Sequence, residues 1–228
     1  MGVIKRVMGC LLASWLLLSQ ACAADTTQLM SAGMAQPQAA QTAAPNITLV
    51  AFGDSIFAGY DLRPEQAFPA KLEKALREKG YAVQVVGRAV SGDTTADGLT
   101  RVDYVLQSSP HIVILELGGN DLLRGVQPET VKANLDAIMY KLAASGAWII
   151  LAGQNAPLNY GKAYAEKFNG LYVELAGKYG VPLHPNILEG VMGQPTLMLP
   201  DGVHPNALGV EVIVGRIMPL VEQILNKR

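Results

Sequence analysis

The chain has 228 residues, is 50% apolar and 16% charged, and carries a formal net charge of −1. That composition excludes collagen-like and disordered classes. With no Lys/Arg block and no basic residues interleaved with aromatics, a nucleic-acid partner has no support either. The length fits one domain able to bury a single substantial core.

The first 23 residues read as an export signal. Lys5 and Arg6 precede an apolar run over 7–18, and Ala21-Cys22-Ala23 supplies small residues at the cleavage positions. The run is too short for a permanent transmembrane helix, so the mature chain is expected to be periplasmic or secreted, without a membrane span. Cleavage after Ala23 leaves 205 of 228 residues and moves the net charge from −1 to −3, because Lys5 and Arg6 leave. It also removes Cys10 and Cys22, the only two cysteines, so no disulfide, thiol nucleophile or thiolate metal site is expected. Lipidation at Cys22 is the competing reading; Ser19 stands three places before it, where a lipidated cysteine usually has an aliphatic residue. Residues 24–45, rich in Ala, Gln, Thr and Pro, lack any apolar period and read as a flexible linker to a domain over 46–228.

From Ile47 onward, short apolar runs alternate with amphipathic stretches. Runs at 47–52, 82–86, 112–117 and 147–152, with a weaker fifth at 181–183, predict strands buried on both faces. Phe68, Leu72 and Leu76 recur at helical spacing, with Gly80 as a stop. Leu99, Val102 and Leu106 form a second stripe, and Pro128 opens a third ahead of Val131, Leu135, Ile138 and Leu142. A last helix is predicted over 205–225, starting near Asp201 or Asn206 and bent at Pro219. Strand–helix alternation of this kind specifies a three-layer α/β/α fold around a mostly parallel sheet, whose site lies beyond the carboxyl ends of the strands.

Four polar clusters fall on that edge. Gly53-Asp54-Ser55 follows the first strand; alone it reads as a helix cap, but a serine there is also exposed beside the positive end of a helix dipole. Ser91-Gly92-Asp93-Thr94 follows the second strand; besides capping a helix, it offers the Gly92 N–H to a developing oxyanion. Gly118-Gly119-Asn120-Asp121 follows the third, and Asn120 could add a neutral side-chain donor to the same oxyanion. Asp201-Gly202-Val203-His204 precedes the last helix. A serine needs a base to take its proton, and an Asp three residues before a His can hold the near ring nitrogen while Nε2 faces Ser55. His184 has Val181 in place of that carboxylate, and His111 opens a strand, so neither is the expected base. Three scattered histidines predict no zinc site, and Ser55 lies outside any Gly-x-Ser-x-Gly elbow.

Together these blocks resemble the SGNH (GDSL-type) hydrolases: Ser55 in Gly-Asp-Ser, Gly92 in Ser-Gly-Asp-Thr, Asn120 in Gly-Gly-Asn-Asp and His204 in Asp-x-x-His-Pro-Asn. The likeness runs from about Ile47 to the C-terminus. Through Glu116–Asp121, Arg124 and Gly125 it is particularly similar to bacterial periplasmic arylesterases and the acyl-CoA thioesterase I / lysophospholipase L1 group. The resemblance implies a flavodoxin-like sheet of five parallel strands and cofactor-free hydrolysis of a small-molecule carboxylic ester or thioester. It implies Ser55 as nucleophile, His204 as base, Asp201 as its orienter, and an oxyanion hole from the Ser55 and Gly92 N–H groups and the Asn120 side chain. The loop over 154–161 keeps the group's Pro157-x-Asn159-Tyr160-Gly161, expected to line the acyl pocket, but Gln154-Asn155 before it is more polar than in the group. A carbohydrate deacetylase uses the same blocks, and a non-catalytic binding protein could keep the scaffold. Few aromatics argue against the first, and the intact serine, base and acid against the second. A monomer is expected.

Overall fold

The structure, a computed structural model, describes residues 47–227; the expected signal peptide and linker lie outside the described residues. Five strands form one parallel sheet: β1 (Ile47–Gly53), β2 (Val83–Ala89), β3 (Ile112–Glu116), β4 (Trp148–Ala152) and β5 (Leu183–His184). Their order is β2-β1-β3-β4-β5, the flavodoxin-like order. Among the described residues seven α-helices accompany them: α1 (Ser55–Ala58), α2 (Phe68–Glu78), α3 (Thr95–Leu106), α4 (Gly119–Leu123), α5 (Pro128–Ala144), α6 (Lys162–Tyr179) and α7 (Ala207–Leu225).

Alternation along the central strands sorts the core into two halves. Leu49, Ala51, Ile112 and Ile114 face α2 and α7, whereas Val50, Phe52, Val113 and Leu115 face α3, α5 and α6. All eight are fully buried, which is why β1 and β3 read as unbroken apolar runs. Each of the larger side chains among them contributes about 1.5–3 kcal/mol relative to exposure, so the sheet is a rigid platform for whatever stands on its carboxyl edge.

Three expectations are corrected. The second strand is displaced to Val83–Ala89 and is not buried on both faces: as an edge strand it buries Val83 and Val85 but exposes Gln84. The fifth strand is Leu183–His184 rather than 181–183, a two-residue pairing with Leu151 and Ala152. The last helix starts two residues later than predicted, at Ala207, and runs unbroken through Pro219. Pro219 and Gly215, whose carbonyl loses its helical partner there, both lie on the solvent side, where water can satisfy that carbonyl.

Candidate active site

β1 delivers Gly53 to the carboxyl edge of the sheet, and the chain turns at once into α1. Asp54 caps that helix by accepting the Ile56 N–H at 3.0 Å. The cap is therefore Asp54, and Ser55, the first helical residue, keeps its hydroxyl free. Ser55 Oγ lies 2.9 Å from His204 Nε2, and His204 Nδ1 lies 2.7 Å from Asp201 Oδ2. The other oxygen of Asp201 accepts the Val203 and His204 N–H groups at 2.8 and 3.0 Å. This local turn lets a carboxylate three residues upstream serve the ring. The same bonds, first the His204 N–H, then its ring, then the Val203 N–H, pull the Asp201 carboxyl down to about 2.

The second and third clusters flank this relay. Val90 N–H donates to the Gly53 carbonyl at 3.1 Å, and Gly92 follows with φ +89°. Thr94, last of its cluster, caps α3 through a reciprocal box with Asp97. Gly118 adopts φ +118°, and a Cβ there would stand 2.1 Å from Tyr172 Oη, so glycine is required on both counts. Asp121 accepts the Thr95 N–H and hydroxyl at 2.8 and 2.7 Å, tying the third cluster to the second.

Asn120 reaches the site with its amide engaged. Nδ2 donates to the Asp93 carbonyl at 2.9 Å and to Asp54 Oδ2 at 3.2 Å. The N–H groups of Ser55 and Gly92 carry no intramolecular hydrogen bond among the described residues. The arrangement thus offers two free backbone donors and one side-chain donor that an incoming oxyanion would have to recruit.

Beneath Ser55 lies a pair of buried acids. Glu116, at the end of β3, is fully buried; one carboxylate oxygen accepts the Asp54 N–H at 3.2 Å and the other accepts Gln154 Nε2 at 2.5 Å. Burial pushes the Asp54 carboxyl up to about 6, and burial together with the Asp54 charge pushes Glu116 well above the ordinary carboxylate range. Two buried acids this close cannot both ionise cheaply.

The relay opens into a cavity of about 370 Å³. Gln154, Asn155 and Asn186 give it a polar patch; Ile56, Leu122, Leu123, Leu188, Met192 and Val203 give it apolar walls. Of the predicted substrate loop, Pro157 and Tyr160 line it, while Asn159 does not and is exposed to solvent. The structure therefore gathers Ser55, Asn120 and His204 around one space, holds Asp201 behind the His204 ring, and leaves Gly92 and Asn159 off the cavity lining. His111 is structural, as expected: its Nδ1 accepts the Thr48 N–H at 3.0 Å. His184 is buried with no partner for Nδ1 among the described residues, and burial lowers its pKa.

Several residues escape sequence reasoning. Arg101, on α3, donates to the carbonyls of Gly53 and Arg88 at 2.9 and 2.7 Å and pairs with Asp93. It thereby binds the ends of β1 and β2 to the second cluster. Tyr60 stacks on the His204 ring. Glu116 alone left a signal, as a lone acid closing an otherwise apolar strand.

A parallel α/β/α sheet bearing a serine–histidine–aspartate relay on its carboxyl edge defines a class of serine ester hydrolases. The GDSL-like lipase/acylhydrolase family model matches residues 51–212, and the chain belongs to that family and is a carboxylic ester hydrolase. It is 38% identical to Esterase TesA of Pseudomonas aeruginosa over 179 residues, 78% of this chain and 89% of that one. To the thioesterase 1/protease 1/lysophospholipase L1 of Escherichia coli it is 41% identical over 160 residues, 70% of this chain and 76% of the other. Among solved structures, AlinE4, an SGNH-hydrolase family esterase, matches with 45% identity and a TM-score of 0.66, covering 78% of this chain and 96% of that one.

Proposed function

We propose that the chain hydrolyses carboxylic esters or thioesters of small or single-chain acyl substrates through an acyl-enzyme on Ser55. The observation that carries this reading is the continuous relay from Asp201 through His204 to Ser55 Oγ, at 2.7 and 2.9 Å. As Ser55 Oγ bonds to the substrate carbonyl carbon, its proton passes to His204 Nε2, and Asp201 holds the resulting imidazolium. The oxyanion is received by the N–H groups of Ser55 and Gly92 and by Asn120, whose longer bond, to Asp54, is the one it displaces. Collapse breaks the bond to the alcohol or thiol, which leaves with the proton from His204. Water then attacks the acyl carbon, gives its proton to His204, and the proton returns to Ser55 Oγ.

The apolar walls favour an acyl chain over a sugar, since a carbohydrate needs hydrogen-bonding partners around its ring. Gln154 and Asn155 place a polar patch in that cavity, which favours short or medium acyl chains. Export to the periplasm or beyond rests on Lys5, Arg6, the apolar run after them and Ala21-Cys22-Ala23. A panel of p-nitrophenyl esters of rising acyl length, run on wild type and Ser55→Ala, tests the function. Ser55-dependent hydrolysis with an optimum at short to medium length is expected; no Ser55-dependent hydrolysis of any ester would overturn it.

A further inference from the structure

The residue after the α1 turn is placed with more care than a surface tyrosine needs. Gly59 ends α1 in the left-handed conformation, φ +73°, and a Cβ on it would stand 2.5 Å from the Ala67 Cβ. Asp61, two residues on, is a non-glycine at φ +55°. Left-handed backbone thus flanks Tyr60 on both sides, a region that non-glycine residues enter uncommonly and Asp more readily than most. The Tyr60 N–H closes the turn on the Ser55 carbonyl at 3.2 Å. The outcome is a ring folded back over the relay: its centroid lies 4.3 Å from that of His204, with 25° between the planes. Tyr60 remains 49% exposed, so core packing does not explain the placement. Nor does Tyr60 line the substrate cavity.

We propose that Tyr60 is a positioning residue for the reaction, holding the His204 ring in line with Ser55 Oγ and favouring its imidazolium through the face of the aromatic ring. This inference rests on the role of His204 as base. The imidazolium is formed twice, on attack by Ser55 and on attack by water. Its charge then lies over a π face whose quadrupole attracts cations, an attraction absent while the ring is neutral. Stabilisation confined to the charged form acts on the transition state rather than on the bound substrate. Both chemical steps should therefore slow by a common factor when the ring is lost. KM depends on the ratio of those steps and on substrate affinity, so it should stay where it was.

The test compares Tyr60→Leu, Tyr60→Phe and Tyr60→Trp with wild type on a short p-nitrophenyl ester, active sites being counted by phosphonate titration. Tyr60→Leu is expected to lose roughly tenfold in kcat at unchanged KM. Tyr60→Phe and Tyr60→Trp, which keep a π face, are expected to stay within about twofold of wild type. The melting temperature of Tyr60→Leu should match wild type, since the side chain is half exposed. The inference is overturned if Tyr60→Leu keeps its kcat, if its loss appears in KM, or if Tyr60→Phe falls as far as Tyr60→Leu. Ser55→Ala serves as the separate control: hydrolysis surviving in it would refute the proposed function, whatever Tyr60 does.

Discussion

Ser55 owes its free hydroxyl to its neighbour. Because Asp54 supplies the cap of α1, the serine has no backbone partner to satisfy and faces His204 instead. The cap expected in Gly-Asp-Ser is therefore supplied by Asp54, and the serine beside it is left free for the role proposed for it. Sequence made the relay legible because Asp201 and His204 are three residues apart and one turn brings them together. It did not reveal Arg101, Tyr60 or the Glu116–Gln154 contact, whose partners are distant in the chain or indifferent to residue type. Nor did it separate Asn159 from Tyr160, since the short turn over Leu158–Tyr160 decides which of them faces the cavity. Two predictions belong at this scale. Asn120→Ala should lose about 10²–10³ in kcat, as removal of other oxyanion donors does, and near-normal turnover on a good ester would exclude it from the hole. Asp201 stays ionised down to about pH 2, so its contribution to stability is present above its ordinary value of 3.8 and is lost as pH falls toward 2. Asp201 should therefore stay ionised through any acid loss of activity above pH 4; a carboxyl titration above pH 4 in the infrared difference between wild type and Asp201→Asn would contradict this.

At the scale of elements, the site is three strand ends and one loop held in register. Arg101 fastens two of those ends and Asp121 the third, so the second and third clusters move as one piece. Arg101→Met should leave partly buried carbonyls and Asp93 without their donor. A loss of about 2 kcal/mol in denaturant unfolding and a fall in kcat from the loosened oxyanion hole are expected; an unchanged midpoint would show that the contacts are solvated substitutes. Asn206 caps α7 by accepting the Leu208 and Gly209 N–H groups at 2.9 and 3.1 Å. Asn206→Ala should lower stability by about 1 kcal/mol, and a shift much smaller than this would mean water replaces the cap. Apolar period located α2, α5 and α7 because their buried faces are largely aliphatic. The same signal does not mark α6, whose buried face mixes Ala165, Ala176 and Tyr172 with larger apolar residues, and which carries Gly170 and Gly177. Strand β5 is two residues long, too short for any period to locate it.

At the scale of the whole molecule, the fold class was legible because central strands buried on both faces cannot hide their apolar character. The cavity was not, since its walls come from α1, α4 and the loops after β4 and β5, which meet only in three dimensions. Placing two buried acids beside Ser55 has a global consequence. Asp54 and Glu116 bind protons more tightly folded than unfolded, so their contribution is fully retained below about pH 4 and erodes as pH rises through about 6. Thermal unfolding should therefore show stability falling from pH 4 to 7, with a shallower slope in Glu116→Gln; equal slopes would mean that Glu116 does not carry the excess proton.

Reaction with a p-nitrophenyl phosphonate, read by intact mass and peptide mapping alongside residual ester hydrolysis, addresses the role of Ser55 most directly. One adduct per chain on Ser55 is predicted, with activity lost in step with labelling and neither adduct nor hydrolysis in Ser55→Ala. An adduct on another residue, or ester hydrolysis persisting in Ser55→Ala, would contradict the account.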